Sequence, residues 1–160
     1  VYNQMITFAD EYLYITTPYL VLEDYMQQSL IEAVHRGVDV RILTPYIPDK
    51  KYAKLLTNYN YGILLREGIR IYEYTPGFIH AKQILSENAA IVGTINMDYR
   101  SLYLHFENGV FMYKNDAVMQ LKHDMEKTFE ISQRITKEMC QGNLRKTLTQ
   151  SVLRLLAPLL

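Results

Sequence analysis

The sequence is poor in cysteine and has no excess charge of either sign. Both features limit the classes of protein to which the chain could belong. A single cysteine, Cys140, excludes a disulfide within the chain, so folding does not depend on one. Basic and acidic residues balance at 17 each, and this is not the strongly basic composition of many nucleic-acid-binding domains. The four histidines lack the spacing of metal ligands, so we expect neither a metal nor another cofactor.

Long apolar runs are also missing. No stretch approaches the roughly 18 apolar residues that span a bilayer, and no signal peptide is visible. The chain opens on Val1 instead of an initiator methionine, so we expect an excised portion of a longer protein, itself soluble or peripheral. Tryptophan is absent, whereas the 14 tyrosines suit either a membrane interface or a packed core.

What is present is a regular alternation of helical and strand patterns in a chain of 160 residues, a length that suits one domain. Strands are predicted at 12–17, 38–43, 69–74 and 107–113, with a hairpin formed by 79–85 and 89–94. Helices are predicted at 1–8, 23–36, 49–67 with a break near 58–60, and 116–136 with Asn115 as its N-cap. This order predicts an α/β fold with a mixed, largely parallel central sheet that is covered by helices on both faces.

One cluster of residues suggests chemistry. His80 and Lys82 are two residues apart, so on a strand both side chains point to the same side, and the same holds for Thr94 and Asn96. Two adjacent strands would then bring an imidazole, an ammonium and an amide together. That set suits a phosphoryl group, whose transfer depends mostly on positioning and charge stabilisation. A His-x-Lys pair alone is a weak signal, because short motifs arise often by chance.

The residues HAKQILSE (80–87) and VGTINMDYRS (92–101) resemble the HKD motif of the phospholipase D superfamily. The extension through HFE (105–107), together with TPYLV (17–21) and RGVDVRILTP (36–45), is similar to the C-terminal catalytic half of bacterial cardiolipin synthases. The resemblance covers nearly the whole chain and implies the α-β-α sandwich of that superfamily. One departure is Glu87, which stands where the family usually has aspartate.

The resemblance also implies roles for the site residues. His80 would be either the nucleophile or the acid–base, while Lys82 and Asn96 would bind phosphate oxygens. Glu107 would orient the imidazole of His80, and Glu87 would support the site. The glycine and threonine of the second motif, Gly93 and Thr94, are predicted to contact substrate. We further expect Asp98 and Arg100 to form an ion pair that locks the turn after Asn96.

The function implied is phosphatidyl transfer between two phosphatidylglycerol molecules through a phosphohistidine, giving cardiolipin and glycerol. The superfamily mechanism uses two histidines, so a second HKD half is expected from the same polypeptide or from a homodimer. The complete protein would act at the bacterial cell membrane, and no nucleic acid is expected as a partner. Two alternatives stay open: a phosphodiesterase or nuclease acting as a dimer, and a non-catalytic module that binds anions.

The chain is expected to divide into an HKD half-domain at 1–142 and a tail at 143–160. In the tail, leucines recur on one side of a predicted helix and basic residues lie beside them. Such a helix packs either on the domain or on an anionic membrane surface, and both remain open.

Overall fold

The computed structural model describes residues 1–140, and the predicted tail at 143–160 lies outside them. In chain order the elements are α1 (Tyr2–Phe8), β1 (Tyr12–Thr16), β2 (Leu20–Val21), α2 (Asp24–His35), β3 (Asp39–Pro45), α3 (Lys51–Arg66), β4 (Arg70–Tyr74), β5 (Gln83–Ser86), β6 (Ala89–Gly93), β7 (Met97–Asp98), α4 (Tyr99–Tyr103), β8 (Gly109–Tyr113), α5 (Asp116–Glu130), β9 (Ser132–Arg134) and a 3₁₀ turn (Glu138–Cys140).

The main sheet has seven strands in the order β8-β6-β5-β1-β3-β4-β9. Its centre is parallel: β1, β3 and β4 run in the same direction, with Ile15, Ile42 and Ile71 in register across them. The helices α2 and α3 provide the crossovers that parallel neighbours require. The flanking pairs are antiparallel, so the predicted α/β class with a mixed sheet is confirmed.

Helices cover both faces of this sheet, because side chains alternate between its two sides. Leu13 and Ile15 of β1 pack in the core formed with α1, α2 and α3. Tyr12 and Tyr14 of the same strand face α5, where the ring of Phe129 meets that of Tyr14 edge-on at a centroid distance of 5.3 Å. The predicted α-β-α sandwich is therefore confirmed.

A second, two-stranded sheet was not predicted, and it matters for the site. The strands β2 and β7 pair in parallel, with Leu20 opposite Met97. The hydroxyl of Thr17 accepts a hydrogen bond from the backbone N–H of Met97 at 3.0 Å. This pairing brings the segment after β1 against the segment that carries Asn96.

Two predicted helix boundaries were wrong. The helix α3 runs unbroken through 58–60, because Asn60 does not compete for its own backbone and instead donates its side-chain amide to Leu20 O at 2.8 Å. The helix α5 ends at Glu130 instead of near 136, because the chain then forms β9 against the edge of β4. The predicted N-cap is confirmed, since Asn115 accepts a hydrogen bond from Val118 N–H. Among residues 1–140 no helix combines the length and apolarity needed to cross a bilayer.

Candidate active site

His80 and Lys82 lie in an extended segment just before β5, not within the strand that was predicted to hold them. The carbonyl of Lys82 accepts a hydrogen bond from Gly93 N–H at 3.1 Å, so this segment continues beside the end of β6. The ammonium of Lys82 donates to the carbonyl oxygen of His80 at 2.6 Å. The lysine head group is therefore held at the backbone of the histidine, and both residues lie at the end of the sheet where β5 begins and β6 ends.

Thr94 ties the end of β6 to the loop that precedes β8. Its backbone N–H donates to Asn108 O at 2.8 Å, and its hydroxyl accepts from Asn108 N–H at 2.9 Å. The same hydroxyl donates to a carboxylate oxygen of Glu107. Glu107 was predicted on a strand, but it lies in this loop, and β8 begins at Gly109.

Gly93 permits this close approach. A Cβ atom added at Gly93 would lie 2.2 Å from the carbonyl oxygen of Asn108 and 2.6 Å from the Cα of Gly109. Both obstacles are backbone atoms, which cannot swing away as a side chain can. The structural contacts of Gly93 and Thr94 are thus with the Glu107 loop, and their contact with substrate stays a prediction.

The charges around His80 share one region. Partial burial, followed by the positive charge of Lys82, lowers the pKa of His80 below its ordinary value, and Asp49 opposes the shift. Burial also lowers the pKa of Lys82, while the carboxylates of Glu107 and Asp49 raise it. We refer to His80, Lys82, Thr94 and Glu107 as the imidazole cluster. Its histidine is held toward the neutral form, the form that can attack phosphorus.

Asn96 follows Thr94 by two residues, and only one of its two side-chain amide atoms has a hydrogen-bond partner. Its Nδ2 donates to the hydroxyl of Ser101 at 3.1 Å, whereas its buried Oδ1 has no partner among residues 1–140. Rotating the amide by a half turn would let its oxygen accept from that hydroxyl and would release the N–H donors. The predicted donation by Asn96 to a phosphate oxygen could use the second N–H of Nδ2 in the present orientation, or both N–H groups after this rotation.

A cavity of about 310 Å³ adjoins Asn96. Its walls come from the β2 segment, the start of α3 and the segment from Asn96 to His105; they include Tyr19, Val21, Lys50, Asn96, Arg100 and His105. His105 links this cavity to the imidazole cluster, because its Nδ1 lies 3.7 Å from Glu107 Oε1 and its Nε2 accepts from Arg100 Nε at 2.8 Å. We call this cavity of about 310 Å³ the Asn96 cavity.

Several residues of this region were missed from the sequence. Asp49 was taken only as a helix start, yet its charge acts on both His80 and Lys82. The hydroxyl of Tyr19 donates to the carboxylate of Asp49, which fixes that charge at the site edge. The spacing of His105 and Glu107, two apart like His80 and Lys82, was a usable signal. No motif or spacing in the sequence indicated that Lys50 lies at this cavity.

Glu87 lies apart from the imidazole cluster, and its role in supporting the site stays a prediction. It lies in the turn between β5 and β6, at the opposite end of the hairpin from Lys82. Five residues of extended chain span about 16 Å, at roughly 3.3 Å per residue, so Glu87 lies too far along the hairpin to hold Lys82. Its carboxylate instead accepts from the backbone N–H groups of Asp10 and Glu11, at 3.3 and 3.4 Å.

The predicted ion pair between Asp98 and Arg100 is also wrong. Asp98 is the N-cap of α4, and its carboxylate accepts from Ser101 N–H at 2.7 Å. Arg100 turns toward His105 instead. The turn after Asn96 is therefore held by a helix cap, and the guanidinium is left facing the cavity.

The partners of Glu107 differ from the predicted one. Among the side-chain hydrogen bonds and ion pairs of the described part of the chain, Glu107 contacts Thr94 and His105, and not His80. Its charge acts on Lys82. Orientation of the His80 imidazole by Glu107 therefore stays a prediction. Within residues 1–140, no group of three or more acidic, histidine or cysteine side chains is placed to hold a metal ion.

The position of Lys82 predicts the titration of His80. Burial and then the charge of Lys82 lower the pKa of His80, so the wild-type midpoint is expected below the ordinary 6.5, and Lys82→Met, which removes the second cause, is expected to raise it. The measurement is an NMR titration of the His80 ring in the chain. Lys114→Met is the matched control, because the backbone N–H of Lys114 donates to Asn88 O in the turn between β5 and β6, at the opposite end of this hairpin from Lys82. An unchanged midpoint in Lys82→Met would contradict the proximity of the two charges.

Comparisons with known proteins agree with this architecture. Residues 2–130 match the family described as cardiolipin synthase, PLD-like domain. A cardiolipin synthase of Geobacillus kaustophilus is 38% identical over 161 residues, which is 99% of this chain and 32% of that protein. The chain thus spans about a third of the length of that relative.

Two solved structures share the fold at low identity. A phospholipase D family member, Nuc from Salmonella typhimurium, superposes with a TM-score of 0.73 at 16% identity, covering 84% of this chain and 88% of that one. A phosphatidylserine synthase from Haemophilus influenzae also gives a TM-score of 0.73, at 14% identity, covering 99% of this chain and 44% of that one. With the family match across most of the sequence, the chain belongs to the cardiolipin synthase, phospholipase D-like domain family.

Proposed function

We propose that this domain is one catalytic half of a phosphatidyltransferase that makes cardiolipin. The observation that carries the proposal is the imidazole cluster. In it His80, whose pKa is lowered toward the neutral form, lies beside the ammonium of Lys82 just before β5. A diester phosphate is the ligand this set suits, because the cation balances the charge on its oxygens while an uncharged imidazole reacts. The cardiolipin synthase relative, at 38% identity, supports phosphatidylglycerol as the lipid.

The reaction would proceed in two displacements. In the first, an imidazole nitrogen forms a bond to phosphorus, the bond from phosphorus to the glycerol oxygen breaks, and glycerol leaves with a proton from a second group. In the second, the hydroxyl of another phosphatidylglycerol loses its proton and its oxygen displaces the imidazole. Lys82 and Asn96 would bind the non-bridging oxygens throughout.

A second histidine is needed as the partner in both steps, so we propose that a second HKD half completes the site. The loop beside Glu107 supports this placement, because Phe106 is fully exposed and its neighbours Leu104 and Tyr103 are more than half exposed. Large apolar side chains grouped on a surface mark interaction sites. Since the substrate is a membrane lipid, we place the complete polypeptide at the cell membrane.

A nuclease or phosphodiesterase is the second candidate, because Nuc shares the fold. Likeness at 16% identity carries the fold alone, however, and the net charge of zero does not suit a polyanionic duplex. A non-catalytic anion-binding module is the third. Its main sequence support, Glu87 in place of aspartate, loses weight because Glu87 lies at the other end of the hairpin.

Product analysis separates these candidates. The complete polypeptide that carries this chain is incubated in vesicles with phosphatidylglycerol labelled in its head group, and lipids are resolved by mass spectrometry. We expect cardiolipin and free glycerol in equal amounts. Phosphatidic acid in place of cardiolipin would indicate a lipase, cleavage of added DNA would indicate a nuclease, and no turnover of either would favour the binding module.

A further inference from the structure

The Asn96 cavity is distinct from the imidazole cluster, although the two are adjacent. Asn96 lines the cavity, whereas His80, Lys82 and Thr94 are not among the described residues of its wall. His105 lies between the two, facing the cavity on one side and Glu107 on the other. The proposed reaction uses Asn96 and leaves the rest of the cavity without a role.

Two cations line this cavity from different elements. Lys50 directly precedes α3, and Arg100 lies in α4. Neither forms an ion pair with a carboxylate within the described part of the chain. The hydrogen bond of Arg100 to His105 uses Nε, so the terminal nitrogens of its guanidinium keep their donors for another acceptor.

The remaining walls combine polar and apolar groups. Ser101, His105 and Asp98 can exchange hydrogen bonds with hydroxyl groups, while Val21 and Leu56 present apolar surface. A pair of positive charges beside hydroxyl-binding groups matches an anion that carries a small polyol.

We propose that the Asn96 cavity binds the phosphodiester of the acceptor phospholipid, with Lys50 and Arg100 contacting its non-bridging oxygens. Phosphatidylglycerol as acceptor carries its own phosphate one glycerol away from the hydroxyl that reacts. If the Asn96 cavity holds the phosphate of the acceptor, the reacting hydroxyl of that lipid lies beside the phosphorus bound to the nucleophilic histidine. The hydroxyl oxygen then bonds to phosphorus, its proton passes to the acid–base histidine, and the bond from phosphorus to the nucleophilic histidine breaks.

Since this assignment rests on the proposed function, its test compares two acceptors in the complete polypeptide. The first reaction is cardiolipin formation from phosphatidylglycerol, or its water-soluble counterpart with glycerophosphoglycerol as acceptor. The second is exchange of labelled free glycerol into phosphatidylglycerol, which needs no phosphate on the acceptor. Lys50→Gln and Arg100→Gln are expected to raise the KM for the phosphate-bearing acceptors by about tenfold or more, the loss typical of a charge-assisted hydrogen bond. Glycerol exchange is expected to stay within about twofold of wild type, because free glycerol lacks the group that these cations bind.

The controls separate recognition of the phosphate from other effects. Lys127→Gln removes an exposed cation from α5, on the opposite face of the sheet, and is expected to change neither reaction. Arg100→Lys keeps the charge and is expected to recover much of the acceptor affinity. Equal losses in both reactions, or no loss in either, would overturn the assignment. So would a defect confined to the lipid acceptor, which would indicate attraction to the membrane surface. If His80→Ala left both reactions intact, the proposed function itself would fail.

Discussion

His80→Ala is expected to lower phosphatidyl transfer by the complete polypeptide by about 10²- to 10⁴-fold if His80 is the acid–base, and by more if it is the nucleophile. The imidazole is exposed, and its ring lies beside that of Phe78 at a centroid distance of 5.2 Å. Its removal is therefore expected to change the free energy of unfolding by no more than about 0.5 kcal/mol. The loss is measured as the initial rate of cardiolipin formation in vesicles.

The matched control is His35→Ala. His35 is also exposed, and it pairs with Glu67 at 3.3 Å, at the end of α2 and away from the imidazole cluster. Its replacement is expected to leave the rate unchanged. Activity of His80→Ala close to that of wild type would contradict a catalytic histidine at this position, and the motif would then serve binding alone.

A donor lipid with a nitrophenol leaving group decides which role His80 has. Nitrophenolate departs without being protonated, so a variant that lacks only the acid–base still releases a burst of it and accumulates a covalent adduct on the other histidine. A variant that lacks the nucleophile gives neither burst nor adduct. Either result keeps His80 in the chemistry and assigns its step.

Gly93→Ala is expected to have the largest structural effect of any single methyl added to the chain at a described glycine. The new Cβ would lie 2.2 Å from Asn108 O, so β6 and the loop before β8 must separate. Overpacking of this kind typically costs about 1–3 kcal/mol. The same movement would break the contacts from Thr94 to Asn108 and Glu107, so activity is expected to fall with stability.

Gly62→Ala is the control for adding a methyl group. Gly62 lies inside α3, and a Cβ there would meet nothing within 4 Å. Alanine is favoured over glycine in a helix by roughly 0.5–1 kcal/mol, so this variant is expected to be more stable than wild type. Urea unfolding of both variants gives the comparison. Equal stability of Gly93→Ala and wild type would show that the loop has room to move.

Much of the fold could be predicted because its signals are local. The apolar alternation of 38–43 and 69–74 and the helical spacing of 23–36 each lie within one element, and all three were confirmed. The strands that were missed, β2, β7 and β9, have two or three residues each and exist only through their partners. The break predicted in α3 failed for the same reason, since Asn60 bonds to Leu20, forty residues away.

The candidate site divides in the same way. Motif spacing placed His80 and Lys82 together, and the structure joins them through the lysine head group. The predicted hairpin already placed Glu87 in its turn, but spacing could not show that the carboxylate accepts from the backbone of Asp10 and Glu11, which are more than seventy residues away. Nor could it show that Lys50 and Arg100 line one cavity, since that depends on where α3 and α4 are packed.

Sequence patterns predicted the order of the main helices and strands, and they support the hypothesis that the histidine and the lysine bind a phosphoryl group. Those properties depend on neighbouring residues, which local periodicity and short spacing encode. Three further features appear only in the folded molecule: the carboxylate charges that act on Lys82, the lack of room for a side chain at Gly93 and the cations that share a cavity with Asn96. These depend on how β6, β8 and the β2–β7 pair approach through space, and no local pattern records that approach.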